Sequence, residues 1–221
     1  MWAQLRTQSP QDSESPGSLP PELVKLPYLQ EIDFTRNYLN GSIPPEWGTM
    51  QLVNMYAFSP SISLIGNRLT GSIPKELGNI STLANLGSSS GAWESASIER
   101  ILLTSNNFTG ELPQTFAGLT TLKDFRVADN QFTGKIPNFI QNWTKLEKLV
   151  IQGSGFSGPI PSGIALLTKI TDLRISDLNG TEATFPPLSD MRNLKTLDLS
   201  FNKLTGEIPS SFVGLSNADY M

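Results

Sequence analysis

Residues 194–209 decide the fold: they read Leu194-Lys-Thr-Leu-Asp-Leu-Ser-Phe-Asn-Lys-Leu-Thr-Gly-Glu-Ile-Pro209, which is the pattern LxxLxLxxNxLxGxIP. The second half of this phrase returns, with variations, at residues 37–44, 67–74, 107–113, 130–137 and 154–161. In the second half of the chain the Asn position recurs with a constant 24-residue period, at Asn106, Asn130, Ser154, Leu178 and Asn202. A fixed period of this length predicts a solenoid of stacked repeats.

Each repeat is predicted to form one short strand at its LxL segment, with the leucine-type side chains inward and the intervening side chains outward. The Asn that follows is expected to turn inward, where its amide can pair with backbone groups of neighbouring turns. The Gly and the Pro then shape the turn onto the convex side. The sequence therefore predicts an α/β repeat solenoid with short parallel strands on its concave face. The predicted ladder of inward amides consists of Asn37, Asn67, Asn106, Asn130 and Asn202.

Irregular segments interrupt the repeats in the first half of the chain. Residues 55–61 are interpreted as an insertion where a strand is due, because the interval from Asn37 to Asn67 exceeds the regular period. A further period begins after Asn67, with Leu83 and Leu86 at strand positions, and residues 87–96 replace its second half. Residues 1–16 are polar and rich in Ser, Gln and Pro, which predicts disorder. We therefore expect a disordered segment at 1–16 and a solenoid at 17–221, interrupted at 55–61 and 87–96 and ending within a repeat.

The composition excludes most catalytic chemistry. The 221-residue chain contains no Cys and no His, which removes thiolate nucleophiles, the usual zinc sites and Ser-His-Asp triads. It has 16 Lys and Arg against 20 Asp and Glu, and it has no basic run, so we expect no nucleic-acid partner. No apolar run reaches the roughly 18 residues of a membrane helix. We expect no catalytic residues, no metal, no cofactor and no direct membrane insertion by this chain.

The stretch Asn37-Tyr-Leu-Asn-Gly-Ser-Ile-Pro-Pro-Glu-Trp-Gly48, together with residues 17–33 and 172–180, makes the repeat type recognisable. The 24-residue phrase with its Ile-Pro pair resembles the plant-specific leucine-rich repeat. These stretches are similar to the ectodomains of plant leucine-rich repeat receptor-like serine/threonine kinases, above all the group that pairs the repeats with a malectin-like domain. The resemblance covers about residues 17–54, 62–86 and 97–221.

The resemblance implies a non-catalytic recognition module on the extracellular face of the plasma membrane. Its partner is expected to be a peptide, a glycan or another receptor ectodomain. The signal peptide, caps, transmembrane helix and kinase domain of the family have no counterpart in the sequence, so we expect a fragment. Two alternative hypotheses are a secreted leucine-rich repeat inhibitor of the polygalacturonase-inhibitor type and a truncated product without independent activity.

Charged and polar side chains cluster at outward strand positions of three consecutive regular repeats. Because a sheet fixes the spacing of such side chains and Arg is a frequent interface anchor, we predict ligand contacts at these positions. In a second interpretation the opposite charges mainly pair with one another. The six candidates are Asp124, Arg126, Lys148, Gln152, Asp172 and Arg174.

Two further motifs have simpler interpretations. Gly153-Ser-Gly-Phe-Ser-Gly158 matches the dinucleotide-binding pattern GxGxxG. Pro159 and Pro161 follow it, so a helix is not expected to begin there, and we interpret the motif as part of the repeat. Five Asn-X-Ser/Thr sequons are candidate glycosylation sites: Asn40, Asn79, Asn107, Asn142 and Asn179.

Overall fold

The computed structural model describes residues 17–27, 29–54, 59–85 and 93–221. Seven short parallel strands form one continuous sheet, here called the concave sheet, in the order in which they occur in the chain. From the third strand onward, cross-strand partners follow one constant period, as Arg100 and Asp124 or Asp172 and Thr196 show. The predicted α/β solenoid of 24-residue repeats is confirmed. The strands are Glu31–Asp33, Ser61–Ser63, Arg100–Leu102, Asp124–Arg126, Lys148–Gln152, Asp172–Ser176 and Thr196–Asp198.

The inward strand positions build the core. Phe125, Leu149 and Leu173 are cross-strand partners in three successive repeats, and all three are fully buried. Burying a side chain of this size contributes about 1.5–3 kcal/mol. Only the neighbouring repeats can cover it, so the stability of the solenoid arises between repeats rather than within one.

Short 3-10 helices form the convex face of the described part of the chain. Each is five residues long, and a proline occupies the N-cap of every one. The fixed φ of proline suits the extended backbone from which these helices begin. No helix in the described ranges has the length and apolar character needed to cross a membrane. The helices are Pro21–Lys25, Pro45–Thr49, Lys75–Asn79, Gln114–Gly118, Asn138–Asn142, Ser162–Leu166 and Ser210–Gly214.

A second set of strands lies between the concave strands and the 3-10 helices, where the chain leaves the concave sheet. Here three strands form one parallel sheet and two more form another. They are Thr70–Ser72, Asn107–Gly110 and Gln131–Phe132 in the first sheet, and Ala183–Thr184 and Leu204–Thr205 in the second.

Inward asparagine amides join the turns that follow the concave strands. The Nδ2 of Asn130 donates to the carbonyl of Leu103 in the preceding repeat at 3.0 Å and to that of Val127 in its own repeat at 3.1 Å. Its Oδ1 accepts the backbone N–H of Phe108 at 3.1 Å. Asn67 and Asn106 repeat this pattern. Each amide therefore satisfies backbone groups of two repeats at once.

The series of inward asparagine amides is interrupted at two successive repeats, where Ser154 and Leu178 occupy the Asn position. The hydroxyl of Ser154 is buried and has no hydrogen-bond partner in the described part of the chain. The backbone carbonyl of Ser154 instead accepts the N–H of Phe132 at 2.8 Å. The rings of Phe132 and Phe156 stack beside this point, with centroids 5.1 Å apart. Phe108 and Phe132 also stack, at 6.4 Å, so the stack of rings spans repeats with and without the amide.

The residue before each ladder position has a left-handed backbone, which the sequence analysis did not anticipate. Only two of the seven are glycines, although this conformation costs an L-residue about 1–2 kcal/mol. The inward turn of the next side chain requires it in every repeat. The seven residues, with their φ angles, are Arg36 (56°), Gly66 (70°), Ser105 (57°), Asp129 (50°), Gly153 (52°), Asp177 (59°) and Phe201 (56°).

The first half of the chain has two lengthened repeats rather than one insertion and one truncated repeat. Glu31 pairs with Ser61 and Ser61 pairs with Arg100, so both repeats exceed the regular period and the second exceeds it by more. Ser61, which the sequence analysis counted within the insertion, begins a concave strand.

The extra residues form a separate three-stranded sheet, here called the insert sheet. Gln51–Asn54 pairs in parallel with Ser81–Asn85, which pairs antiparallel with Trp93–Ser97. The expected repeat strand at Leu83 and Leu86 is therefore wrong: Leu83 belongs to the insert sheet, and Leu86 lies outside the described residues. The extra residues of the second lengthened repeat are too few to complete another circuit of the solenoid, and their two described strands pair with each other instead. Residues 1–16, 28, 55–58 and 86–92 lie outside the described residues, and with them the predicted disordered segment at 1–16 and most of the predicted interruptions at 55–61 and 87–96.

Two neighbouring 3-10 helices approach closely at a glycine. A Cβ added at Gly78 would lie 2.5 Å from the Thr115 Oγ1 and 2.8 Å from the Thr115 carbonyl carbon. A Cβ added at Gly118, in the next helix, would meet no atom within 4 Å.

We predict that Gly78→Ala lowers the free energy of unfolding by about 1–3 kcal/mol, because the methyl group overpacks this contact. Gly118→Ala is the control, and we expect it to be neutral or to stabilise by up to about 1 kcal/mol. Urea unfolding of both variants measures the difference. Equal midpoints for the two variants contradict the close approach.

We also predict that Asn130→Leu costs about 1–3 kcal/mol, because it leaves backbone groups of two repeats unpaired. Ser154→Ala is expected to stay within about 0.5 kcal/mol of the parent chain, since the hydroxyl it removes has no partner. Thermal unfolding of both variants tests the ladder. An unchanged melting temperature for Asn130→Leu shows that the amide contacts contribute nothing.

Candidate recognition surface

The six predicted contact residues lie together on the concave sheet. Asp124, Lys148 and Asp172 are cross-strand partners and form one row across three strands. The next outward row contains Arg126, Val150 and Arg174, which are likewise partners. Gln152 lies one outward position further along its strand. The three regular repeats thus present a compact array of outward side chains at the strand spacing of about 4.8 Å.

Asp124 and Arg126 form a bidentate ion pair within one strand. The Nε of Arg126 lies 2.7 Å from the Oδ1 of Asp124, and its Nη2 lies 2.8 Å from Oδ2. The side chain of Asp124 is only 9% exposed and that of Arg126 is 32% exposed. The hydrogen bonds to Asp124, followed by the charges of Asp124 and Asp172, raise the pKa of Arg126 above its usual value against the opposing effect of burial. Arg100 approaches the same carboxylate, with its Nε 4.0 Å from Oδ2.

The charged side chains of the next repeats form more exposed pairs. The Nε of Arg174 lies 2.8 Å from the Oδ1 of Asp172, but the two side chains are 43% and 21% exposed. Gln152 reaches across the intervening strand, and its Nε2 donates to the Oδ2 of Asp198 at 2.8 Å. The other oxygen of Asp198 accepts the hydroxyl of Ser200 at 2.7 Å. The concave charges are therefore largely paired within the surface, as the second sequence interpretation described.

Lys148 differs from its neighbours. It is exposed between the Asp124 and Asp172 strands, and it has no ion pair within 4.0 Å in the described part of the chain. Each neighbouring carboxylate is instead held by the arginine two residues further along its own strand. Lys148 and the outer nitrogens of Arg174 are therefore the available cationic donors of this array.

Sequence reasoning left Arg100 and Asp198 out of the candidate site, although both contact its members. The two residues occupy the same outward positions as Asp124 and Arg174 in neighbouring repeats. Extending the repeat register by one strand on each side would have included them.

Other parts of the described surface provide weaker candidate binding sites. A groove of about 690 Å³ lies on the edge where the chain enters the concave strands, and its polar lining includes Glu147, Lys169, Lys195 and Asp219. All four side chains are exposed. No group of three or more Asp, Glu, Cys or His residues within the described ranges could hold a metal ion.

The glycines of the GxGxxG motif lie in turns, whereas the sequon asparagines lie at the ends of 3-10 helices, at the start of a strand and at isolated bridges. Gly153, Gly155 and Gly158 all have positive φ angles, and the 3-10 helix that follows begins only at Ser162, after Pro161. Four sequon asparagines are exposed, and Asn40 is half-buried. The Nδ2 of Asn142 donates to the carbonyl of Ala117 at 3.3 Å. The exposed four are Asn79, Asn107, Asn142 and Asn179.

Comparison with known proteins identifies the repeat. The family model of the leucine-rich repeat matches residues 28–50, 97–119 and 193–215. A probable leucine-rich repeat receptor-like serine/threonine-protein kinase of Arabidopsis thaliana is 53% identical over 70 residues. These three stretches are leucine-rich repeats, and the chain is similar to plant receptors that carry such repeats. The aligned part covers 32% of the leucine-rich repeat chain and 6% of that kinase.

Other relatives share longer stretches at lower identity. Receptor-like protein 41 of Arabidopsis thaliana is 31% identical over 133 residues, which are 59% of this chain and 13% of that protein. The leucine-rich repeat chain therefore spans a small part of the length of the curated relatives it matches.

Solved structures of plant receptors share the fold over nearly the whole chain. The Arabidopsis receptor kinase HAESA, in complex with the peptide hormone IDA and the co-receptor SERK1, matches with a TM-score of 0.75 and 30% identity. The match covers 93% of this chain and 31% of HAESA. A TDR receptor matches with a TM-score of 0.77 and 28% identity, covering 93% of this chain and 32% of that one.

We predict that Asp124→Asn lowers the free energy of unfolding by about 1–3 kcal/mol, because it weakens a charged hydrogen-bond pair that is mostly buried. Asp172→Asn changes the same chemistry in the more exposed pair, and we expect it to cost less than about 1 kcal/mol. Urea unfolding in low and high salt measures both. Equal costs for the two variants show that burial of the Asp124 pair has no energetic consequence.

Proposed function

We propose that this chain is a non-catalytic ligand-recognition module of a plant receptor-like kinase type ectodomain, placed on the extracellular face of the plasma membrane. In this proposal its solenoid extends over residues 17–221, and its partner is a peptide, a glycan or another receptor ectodomain. A peptide is the partner we favour. The contact surface is the concave sheet around Asp124, Arg126, Lys148, Gln152, Asp172 and Arg174.

The observation that carries the proposal is the order of the concave sheet. Its strands pair in one register from Arg100–Leu102 to Thr196–Asp198, a distance of roughly 19 Å at the usual strand spacing. An extended peptide of about six residues covers that length. Ion pairs or hydrogen bonds already hold the outward charged side chains other than Lys148, so little conformational entropy is lost when a partner binds.

The relatives support the choice of a peptide. The HAESA structure contains a peptide hormone and a co-receptor. The solved ectodomain of GASSHO1/SCHENGEN3 from Arabidopsis thaliana, 25% identical to this chain with a TM-score of 0.73, is in complex with CASPARIAN STRIP INTEGRITY FACTOR 2. Exposed sequons are consistent with passage through the secretory pathway, where such ectodomains acquire glycans.

The proposal is tested by panning the purified chain against a phage-displayed library of random hexapeptides. Selected peptides are then measured on two variants of matched size. Thr196→Trp places a bulky side chain on the concave sheet, and Lys75→Trp places one on a convex helix. We expect the concave variant to weaken binding at least roughly tenfold, about 1.4 kcal/mol, and the convex variant to leave it unchanged.

Hydrogen exchange in the presence of the selected peptide locates the contact independently. Added protection is expected in the strands from Arg100–Leu102 to Thr196–Asp198. Protection confined to the 3-10 helices, or peptides that bind the Thr196→Trp variant normally, would overturn the proposal.

A further inference from the structure

The last coil of the solenoid, residues 198–221, exposes apolar positions that earlier repeats bury. Ile208 is 71% exposed, whereas Ile73 and Ile136, which also stand directly before the proline of a repeat, are each 3% exposed. Phe212 is the third residue of its 3-10 helix and is only half-buried. Every other 3-10 helix of the described ranges buries its third residue. Val213, the next residue, is 87% exposed.

These positions form one surface, here called the end face, which a further repeat would cover. Because Tyr220 is the cross-strand partner of Thr196, Met221 occupies the inward register of Leu197. Met221 is nevertheless 63% exposed, whereas Leu197 is buried. Five of the eight large hydrophobic side chains that are exposed in the described part of the chain lie within residues 201–221. Such a concentration marks an interaction surface. The end face consists of Leu204, Ile208, Phe212, Val213 and Met221.

The concave sheet reaches this face with unpaired backbone donors. In an earlier repeat the N–H of Val127 donates to the carbonyl of Val150 in the next strand at 2.9 Å, and the N–H of Asp129 donates to the next repeat in the same way. At the corresponding positions, the N–H groups of Leu199 and Phe201 have no hydrogen-bond partner among the described residues. Free groups at a sheet edge can pair with another chain.

The opposite end of the solenoid presents no equivalent surface. Leu23, Leu29 and Ile32 of the first repeat are buried, and among the described residues before Asn37 the only exposed large apolar side chain is Leu26. Head-to-tail stacking would therefore cover an apolar face on one copy only. Contact between two end faces covers one on each copy, and it closes on itself as a two-fold dimer.

We propose that the end face binds a second copy of this chain, giving a two-fold dimer whose solenoids meet at their last coils. The size of the face fits, because a standard interface takes roughly 20–30 residues from each partner and residues 198–221 make one 24-residue period. The concave sheet remains free for a ligand, so the inference is independent of the proposed function.

Charge does not oppose this contact. The charged side chains of the last coil lie outside the end face, and two of them are already bonded within their own copy. Asp198 accepts the Nε2 of Gln152, and the Nζ of Lys203 donates to the carbonyl of Gly180 at 2.9 Å. The four charged residues are Asp198, Lys203, Glu207 and Asp219.

Sedimentation equilibrium of the purified chain over a concentration series measures the association. We expect the 24.1 kDa monomer to give way to a species of twice that mass as concentration rises. Val213→Glu places a charge in the end face and should raise the dimer dissociation constant at least roughly tenfold, about 1.4 kcal/mol. Leu166→Glu is the matched control, because Leu166 is also an exposed apolar residue of a 3-10 helix but lies away from the last coil. It should leave the dimer unchanged.

Cross-linking shows which ends meet. The chain contains no Cys, so Val213→Cys and Lys75→Cys each carry a single thiol. A flexible bismaleimide that can span the end face should join Val213→Cys into covalent dimers. It should leave Lys75→Cys monomeric, since Lys75 is exposed on a convex helix several repeats away. Head-to-tail stacking would separate the Val213→Cys thiols of neighbouring copies by the length of a solenoid and would give no such product.

A chain that sediments as a monomer at every concentration overturns the inference. A dimer that Val213→Glu leaves unchanged also overturns it, because the contact then lies elsewhere. Growth into larger polymers does the same, since it indicates head-to-tail stacking. Should Val213→Glu fail to fold, the cross-linked dimer of Val213→Cys supports the proposal and its absence overturns it.

Discussion

A single asparagine amide joins the turns of two neighbouring repeats at Asn67, Asn106, Asn130 and Asn202. The amide of Asn130 donates to carbonyls of its own repeat and of the preceding one, and it accepts an N–H from the preceding repeat. Backbone groups inside the turn have no water to pair with, so leaving them unpaired is costly. The left-handed residue before each amide, such as Asp129 with φ 50°, turns it inward. Strand register, core packing and the concave surface all follow from this repeated turn.

The regular arrangement of side chains on the concave surface follows from that turn. Because cross-strand partners come from successive repeats, Asp124, Lys148 and Asp172 form a row although they are distant in the chain. The same geometry lets Asp124 bind Arg126 along one strand and lets Gln152 reach Asp198 across another. These internal bonds reduce the number of groups that can contact a partner. The bond to Asp172 orients Arg174, while Lys148 stays exposed without an ion pair in the described part of the chain.

The lengthened repeats show how a solenoid accommodates extra residues. Both insertions occur between a 3-10 helix and the next concave strand, and their strands pair with each other at Gln51–Asn54 and Ser81–Asn85. The concave sheet continues past them without a break, from Ser61 directly to Arg100. An extension at the edge leaves the ladder and the core contacts intact, so it costs less than an insertion within the strand or the inward turn.

The sequence alone determined the repeat length, the inward and outward strand positions and the ladder asparagines, because each depends on a local pattern that returns with every regular repeat. It also identified the charged row, since outward positions alternate predictably along a strand. Two features depended on tertiary structure. The pairing of Ser81–Asn85 with Trp93–Ser97 placed these strands in the insert sheet and not in the concave sheet. Contacts such as those of Arg126 and Arg174 decided which charged groups remain available. Neither follows from periodicity, because each depends on which groups meet in space rather than on their order in the chain.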